Sequence, residues 1–259
     1  MFEEIRKLKR VIGSWLGLFV VVTVLFFFFG AKRISIFGAM VPVLLPSVDS
    51  VSIQFFQKMQ EDVLPDDVTL VAMTPFSALN TQITVAALLS FLVTFPFLVF
   101  RLVGYVSPAL YTAERRALLG VLLPGLFLFL GGAFFAYSIV IPPTFKALYS
   151  YTEGTGVPAL FSIDAFVAFV MTFMLVTGVL FLLPILMALL SFFGIIPPLF
   201  WRTHWRYALF TFLIFSAIIT PDGSGVGMML LSLPLGGLYA AGAGAASLRK
   251  PFALAKIDH

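Results

Sequence analysis

Glu114 is the side chain best suited to bind a positively charged ligand. It lies in a polar block at residues 107–116, with the sequence SPALYTAERR. A carboxylate pairs with a guanidinium group through two parallel hydrogen bonds, which fixes orientation as well as charge. In one interpretation the two arginines that follow Glu114 neutralise it at a membrane surface. In the other, the carboxylate binds a basic ligand, with Tyr105 and Tyr111 as its neighbours.

Three further charged residues stand beside long apolar segments. Asp222 is the only charged residue between Arg206 and Arg249, and it lies in a Thr-Pro-Asp-Gly turn. An aspartate there is predicted to cap the helix that follows, because its oxygen accepts the free N–H groups of the first turn. Glu4 and Arg6 precede the first apolar segment, and the simplest role for this basic end is to anchor it. Prolines are predicted to bound or kink the helices, at Pro42, Pro96, Pro142 and Pro184.

Residues that carry catalysis or hold metals are scarce. The chain has two histidines, one in a basic segment and one at the end of the chain, and no cysteine. It also has no glycine-rich phosphate-binding loop of the Walker type. We therefore predict no catalytic site, no metal site and no cofactor, and the protein is not expected to be an enzyme.

The composition sets the class of protein. Hydrophobic residues make up 61% of the chain and charged residues 11%, and the mean hydropathy is +1.08. A soluble fold of this size would have too few polar side chains to cover its surface. This excludes a soluble enzyme, a disordered protein and a nucleic-acid-binding domain. The prediction is an all-α polytopic membrane protein in contact with lipid, without a nucleic-acid partner.

Charge-free segments predict six transmembrane helices in one integral membrane domain, residues 1–259. A helix needs roughly 20 apolar residues to cross the ~30 Å hydrocarbon core. The fifth segment would be only about 21 Å long at 1.5 Å per residue, so the last two helices are predicted to be short and the bundle cup-like. The outer loop, residues 31–82, is expected to contain an amphipathic helix at Val51–Val63. The predicted spans are 11–30, 83–103, 117–141, 165–193, 207–220 and 224–247.

The distribution of basic residues predicts the orientation. Most lysines and arginines fall on the side of the two chain termini, whereas most acidic residues fall on the other. Because cytoplasmic loops of membrane proteins are enriched in basic residues, both termini are predicted to be cytoplasmic, in a cell membrane. The basic residues on the terminal side are Arg6, Lys7, Lys9, Arg10, Arg101, Arg115, Arg116, Arg202, Arg206, Arg249, Lys250 and Lys256.

One stretch resembles a known family. Pro96, Tyr105 and Glu114 follow one another at intervals of nine residues, and the block SPALY stands before Glu114. This pattern resembles the first cytoplasmic loop of TatC, the multi-spanning core of the twin-arginine protein translocase. Weaker similarities occur in the family's order, covering about residues 4–240. They are Glu4-Ile5-Arg6, Pro42, Thr74-Pro75-Phe76, the GAFFAY block with Pro142, Thr220-Pro221-Asp222, Leu233-Pro234 and Leu238-Tyr239.

The resemblance implies a receptor for twin-arginine signal peptides that assembles with single-span subunits, in a homo- or hetero-oligomer, to export folded proteins. It implies that Glu114 pairs with an arginine of the signal peptide. The other residues implied in signal-peptide binding are Tyr105, Glu4, Arg6 and Pro96. A structural or partner-facing role is implied for Pro42, Pro108 and Asp222.

The chain departs from the family pattern at positions that usually carry polar groups. Leu182 and Ala240 stand where a glutamate is usual, Val226 where a glutamine is frequent, and Ser77 where the outer Ser-Pro motif carries a glutamate. An alternative function is a small-solute or ion transporter of unknown substrate. A transporter would require polar groups near the middle of the membrane, and the first four spans contain almost none beyond serine, threonine and glycine.

Overall fold

The structure is a computed structural model that describes residues 2–36, 39–46, 49–65, 68–106, 112–154, 160–220 and 225–248. Most of these residues are helical. The helices are α1 (Phe2–Phe28), α2 (Val51–Val63), α3 (Ser77–Val106), α4 (Thr112–Phe135), α5 (Ile141–Glu153), α6 (Ile163–Leu180), α7 (Leu183–Phe192), α8 (Pro198–Thr203), α9 (Trp205–Ile219) and α10 (Val226–Leu248). The strands are β1 (Phe29–Ile36), β2 (Ala39–Pro46), β3 (Thr69–Val71) and β4 (Leu160–Ser162).

Five helical segments within the described residues are long and apolar enough to cross a membrane. They are Arg6–Phe28, Ser77–Tyr105, Leu119–Thr152, Ile163–Phe192 and Val226–Ser247. A sixth apolar helix, α9, has 15 residues, which corresponds to about 22 Å against a core of ~30 Å. The predicted class, an all-α polytopic membrane protein, is confirmed, whereas the count of six spans is not.

The last helix is longer than expected. α10 has 23 residues and so reaches about 35 Å. Of the last two helices, α9 is the short one, and the prediction that both are short is wrong for α10. Gly225, with a φ of +72°, adopts the left-handed backbone that glycine accepts most readily and directly precedes the helix. Pro234 lies inside α10 and does not end it. Membrane helices tolerate an internal proline when neighbouring groups bond to the carbonyl that loses its helical hydrogen bond.

The chain divides into two compact units where the sequence suggested one domain. Unit 1 comprises Met1–Pro108 and Gly156–Met171, and unit 2 comprises Ala109–Thr155 and Thr172–His259. The boundary falls within α6, so each unit contains part of that helix. The two units are described separately below. The single domain and the cup-like bundle stay predictions.

In unit 1, α1 packs along α3 in antiparallel fashion. The side-chain amide of Gln82 donates hydrogen bonds to the Phe27 carbonyl and to the Ser50 hydroxyl, both at 3.0 Å. Further along the pair, the ring of Trp15 meets the ring of Phe91 edge-on, with centroids 6.1 Å apart. The end of α1 therefore lies beside the start of α3, and the start of α1 beside the end of α3.

The outer segment contains strands that the sequence did not predict. β1 and β2 form an antiparallel pair, with Phe29 opposite Pro46 and Ile36 opposite Ala39. Pro42 stands in β2, opposite Arg33. In the sequence alone, a proline favours a helix boundary over a strand, because its backbone lacks the N–H group that donates hydrogen bonds within a sheet. In a two-stranded sheet each strand has a free edge, where a missing N–H is tolerated.

Helix α2 occupies the segment in which an amphipathic helix was expected. Met59 and Val63 are buried, and Phe56 meets the ring of Phe166 edge-on, with centroids 6.4 Å apart. The apolar face of α2 thus packs on protein, against α3 and the first turns of α6. Its neighbour β3 pairs in parallel with β4, which brings the start of α6 to the start of α3.

Unit 2 contains α4, which continues through a π-helical turn at Ala136–Val140 into α5. α6 and α7 are separated by a break at Phe181 and Leu182, next to Pro184, where a kink was predicted. A second core lies among α7, α9 and α10. Its buried members are Met187, Phe212, Leu231, Leu235, Tyr239 and Ala243.

Candidate functional site

The predicted site residues of unit 1 lie at one end of the α1–α3 pair. Glu4 and Arg6 are in the first turns of α1, and Arg101 and Tyr105 are in the last turns of α3. The antiparallel packing of these helices brings the four positions to the same end of the pair. Tyr105 is half-buried and Arg6 is exposed. The side chain of Glu4 lies outside the described part of the structure.

Arg101 adds a fixed positive charge to this end. Its guanidinium group lies 5.1 Å from the centroid of the Phe97 ring, a cation–π contact that holds the side chain along the helix. Tyr105 follows Arg101 by four residues, so the two share one face of α3. An aromatic hydroxyl and a guanidinium on one helix face can together contact a polar peptide.

Pro96 does not share that face. It lies inside α3, nine residues before Tyr105, and nine residues correspond to about two and a half helical turns. The two side chains therefore project from opposite sides of the helix. The sequence repeats an interval of nine residues. From Pro96 to Tyr105 this interval lies within one helix. From Tyr105 to Glu114 it crosses residues 107–111, which lie outside the described structure.

Glu114 belongs to unit 2, as the third residue of α4. The backbone of α4 is described from Thr112, whereas the Glu114 side chain lies outside the described part of the structure. A carboxylate in the first turn of a helix is stabilised by the partial positive charge of the free N–H groups there.

Three other predicted positions have less structural description. Pro42 is in β2, although its side chain is outside the described part, and Pro108 and Asp222 both lie outside the described residues. The N-cap role of Asp222 stays a prediction. Thr220, which directly follows α9, donates a hydrogen bond to the Ser216 carbonyl at 2.6 Å.

The two positions that lack the family's usual carboxylate have different surroundings within unit 2. Leu182 is half-buried at the break between α6 and α7, close to Gly125 of α4. Ala240 is exposed on α10 and faces a groove that Trp201 also lines. Within the described residues, no group of histidine, cysteine and acidic side chains could hold a metal ion.

Two polar networks were missed by the sequence analysis. In unit 1, Asn80 donates from Nδ2 to Oδ1 of Asp164 at 3.0 Å. In unit 2, Trp201 donates from Nε1 to the Ser191 hydroxyl at 2.8 Å, and the Tyr239 hydroxyl donates to the Trp201 carbonyl at 2.7 Å. These contacts join residues that are 84, 10 and 38 positions apart in the sequence, so they depend on how the helices pack and not on a local sequence pattern.

The profile of the family described as Sec-independent protein translocase protein (TatC) matches residues 2–234. A TatC protein of Cenarchaeum symbiosum is 35% identical over 222 residues, which cover 85% of this chain and 84% of the relative. The chain belongs to the TatC family. The resemblance found in the sequence is thereby confirmed.

Other comparisons agree with TatC membership. The TatC protein of Deinococcus radiodurans is 34% identical over 171 residues, 63% of this chain and 63% of that relative. The crystal structure of the twin arginine translocase receptor TatC in DDM has a TM-score of 0.72 at 25% identity, covering 94% of this chain and 99% of that one. The protein is a multi-pass membrane component of the Sec-independent protein translocase family.

Proposed function

We propose that this TatC-family protein binds twin-arginine signal peptides at the cytoplasmic face and assembles with single-span subunits to export folded proteins. The observation that carries the proposal is the match of residues 2–234 to the family, which includes the SPALYTAERR block. The gathering of Glu4, Arg6 and Tyr105 at one end of the α1–α3 pair supports it. The role proposed is recognition and assembly rather than catalysis.

Glu114 would bind an arginine of the signal peptide through two charge-assisted hydrogen bonds. The tyrosine at the end of α3 would also contact the peptide, and Glu4 would offer a second carboxylate. Pro96 would act indirectly by shaping α3, because it faces away from Tyr105. Pro42, Pro108 and Asp222 would shape the elements on which partner subunits dock.

Peptide binding tests the role of Glu114. We expect Glu114→Gln and Glu114→Ala to weaken binding of a synthetic twin-arginine signal peptide by at least tenfold, that is about 1.4 kcal/mol, since a charge-assisted pair is lost. Glu114→Asp keeps the charge with a shorter reach and should fall between. The affinity is measured by fluorescence anisotropy of labelled peptide in nanodiscs, against a twin-lysine peptide.

Glu61 provides the matched control. It is an exposed carboxylate on α2, so Glu61→Gln removes the same charge from another surface and should leave binding unchanged. If the two neutral variants at Glu114 bind like the parent, Glu114 is not the receptor group. The interpretation in which the neighbouring arginines neutralise it would then stand.

The orientation proposed is both termini in the cytoplasm of a cell with a plasma or inner membrane. The chain has no cysteine, so single-cysteine variants give a clean test. Lys9 and Lys58 are exposed lysines on α1 and α2. A membrane-impermeant maleimide should label Lys58→Cys on intact cells and Lys9→Cys only after permeabilisation; the reverse pattern would invert the topology.

The buried polar groups give little support to a solute transporter. Among the described residues, the buried side chains with polar groups are serines and threonines, together with Tyr239, whose hydroxyl donates to a backbone carbonyl. Several of these hydroxyls bond to the carbonyl one turn earlier in their own helix, as Ser90, Thr94 and Thr144 do. A transporter of ions or charged solutes requires polar groups that converge on a midplane site.

A further inference from the structure

A groove in unit 2 is not used by the proposed recognition of signal peptides. It lies between the α8–α9 segment and α10 and has a volume of about 560 Å³, within the range of ligand pockets. Trp201, Arg202, Trp205 and Leu209 line one side, and Ser232, Gly236 and Ala240 are on the α10 side. Its charged end is at the start of α9, and its apolar end extends along that helix.

The walls of the groove are held in place. Trp201 is fixed from two directions, because its indole N–H donates to Ser191 and its carbonyl accepts from Tyr239. On the floor, Gly236 approaches α9 so closely that an added Cβ would lie 2.7 Å from Leu209 Cδ2. The walls of the groove are therefore set by the helix packing, and α9 approaches α10 closely at Gly236.

Among the described residues that line the groove, Arg202 is the charged one. It is exposed, and Arg206, in the first turn of α9, places its guanidinium 5.6 Å from the ring centroid of Trp205, which also lines the groove. The sequence contains no aspartate or glutamate between Asp164 and Asp222. An occupant that complements this groove combines an anionic group with an apolar body.

We propose that the groove binds an anionic phospholipid. Its phosphate-bearing headgroup pairs with Arg202 and Arg206, and one acyl chain follows the groove past Leu209 toward Leu213 and Leu233. Basic pockets between membrane helices bind anionic headgroups, and tryptophans such as Trp201 and Trp205 concentrate at the level of lipid headgroups. A phospholipid carries an anionic headgroup and apolar chains in one molecule, which matches a groove with a charged end and an apolar end.

Tryptophan fluorescence can report this site directly. The chain has three tryptophans, and Trp15 lies in unit 1 with an indole N–H that has no hydrogen-bond partner in the structure. In a Trp15→Phe background, emission comes from Trp201 and Trp205 alone. The protein is reconstituted in phosphatidylcholine vesicles with small, increasing fractions of phosphatidylglycerol carrying brominated chains, which quench tryptophan on contact. Brominated phosphatidylcholine gives the comparison.

We expect brominated phosphatidylglycerol to quench at lower mole fractions than brominated phosphatidylcholine. Removing both charges, Arg202→Gln with Arg206→Gln, should reduce this preference by about fivefold per arginine. Removing two exposed charges from unit 1, Lys9→Gln with Arg10→Gln, is the matched control and should keep the preference. Ala240→Leu, which adds a larger side chain to the α10 wall and keeps both arginines, should reduce quenching by both lipids.

Several results would overturn the proposal. Equal quenching by the two lipids in the parent would show that no headgroup is selected. A preference that survives loss of both arginines would place the anionic lipid elsewhere. Unchanged quenching in Ala240→Leu would exclude the groove as the binding site of the acyl chain. A disulfide-linked dimer of an Ala240→Cys variant in the bilayer would mean that a second copy of the chain occupies the groove. Arg202→Lys keeps the positive charge and should retain the preference for phosphatidylglycerol. A preference lost only in the glutamine variant then reflects the missing charge.

Discussion

Asn80 and Asp164 are 84 residues apart in sequence, yet their side chains are joined by a 3.0 Å hydrogen bond. Asn80 is in the first turn of α3 and Asp164 in the first turn of α6, both within unit 1. The nearby β3–β4 pair connects the same two helix starts through the backbone. One side-chain contact and one strand pair thus tie a late segment of the chain to the outer end of α3.

Loss of this contact should lower the melting temperature. We expect Asn80→Ala to reduce the Tm in detergent, and Asn80→Asp to reduce it further, because two carboxylates would then face each other at hydrogen-bond distance. The additional loss in Asn80→Asp should shrink as the pH falls and the carboxylates are protonated. Glu61→Ala, at an exposed helix position, should leave the Tm unchanged, and an equal shift in the control would refute the role of the contact.

Close packing at Gly132 should make this position intolerant of a side chain. A Cβ there would lie 2.7 Å from Phe181 Cγ and 2.9 Å from the backbone oxygen of Thr177, whereas a Cβ at Gly131 would meet nothing within 4 Å. We expect Gly132→Ala to cost about 1–3 kcal/mol in the free energy of unfolding.

Gly131→Ala is the neighbouring control and should be neutral or slightly stabilising, since alanine has the better helix propensity. Both variants are compared by unfolding in mixed micelles. Similar stabilities for the two would show that α4 does not approach Phe181 as closely as the structure has it.

The hydroxyl of Tyr239 should stabilise unit 2. Tyr239 is 6% exposed and donates to the Trp201 carbonyl at 2.7 Å. Tyr239→Phe keeps the ring and removes the donor, so we expect a loss of about 1 kcal/mol in the free energy of unfolding. Tyr207→Phe, at a residue that is 73% exposed, should lose much less. If the two variants lose the same amount, the hydrogen bond does not contribute as described.

Hydropathy alone predicted most of the helical structure, for a physical reason. A helix in lipid must be apolar over its whole length, so segments such as residues 165–193 stand out without knowledge of their neighbours. Even the break near Pro184 follows from the missing N–H of proline. The β1–β2 pair was missed because Pro42 argues against a strand unless the strand has a free edge, and that depends on tertiary structure.

The site was only partly predictable. The sequence indicated Glu4, Arg6 and Tyr105 separately, and the antiparallel packing of α1 on α3 explains why Tyr105 shares one end of the pair with the first two. The same helix geometry separates Pro96 from Tyr105, which a regular spacing of nine did not reveal. The groove beside Trp201 could not be predicted, because its walls come from α8, α9 and α10 and depend on how those helices pack.

Leu182 offers a test of how this TatC-family protein differs from the family pattern. Its side chain is half-buried at the α6–α7 break, near Gly125 of α4, where the family usually has a glutamate. A carboxylate in an apolar environment costs several kcal/mol unless it is paired or protonated. We therefore expect Leu182→Glu to lower the Tm of the isolated protein. It should also raise the affinity for a single-span subunit whose helix carries a polar residue, because that residue would satisfy the new carboxylate.

Leu182→Met is the control, since it keeps an apolar side chain of similar volume and should change neither quantity. Co-purification with a polar-helix subunit and thermal stability are measured for all three proteins, and unchanged values for Leu182→Glu in both assays would show that this position is not a partner-facing polar site.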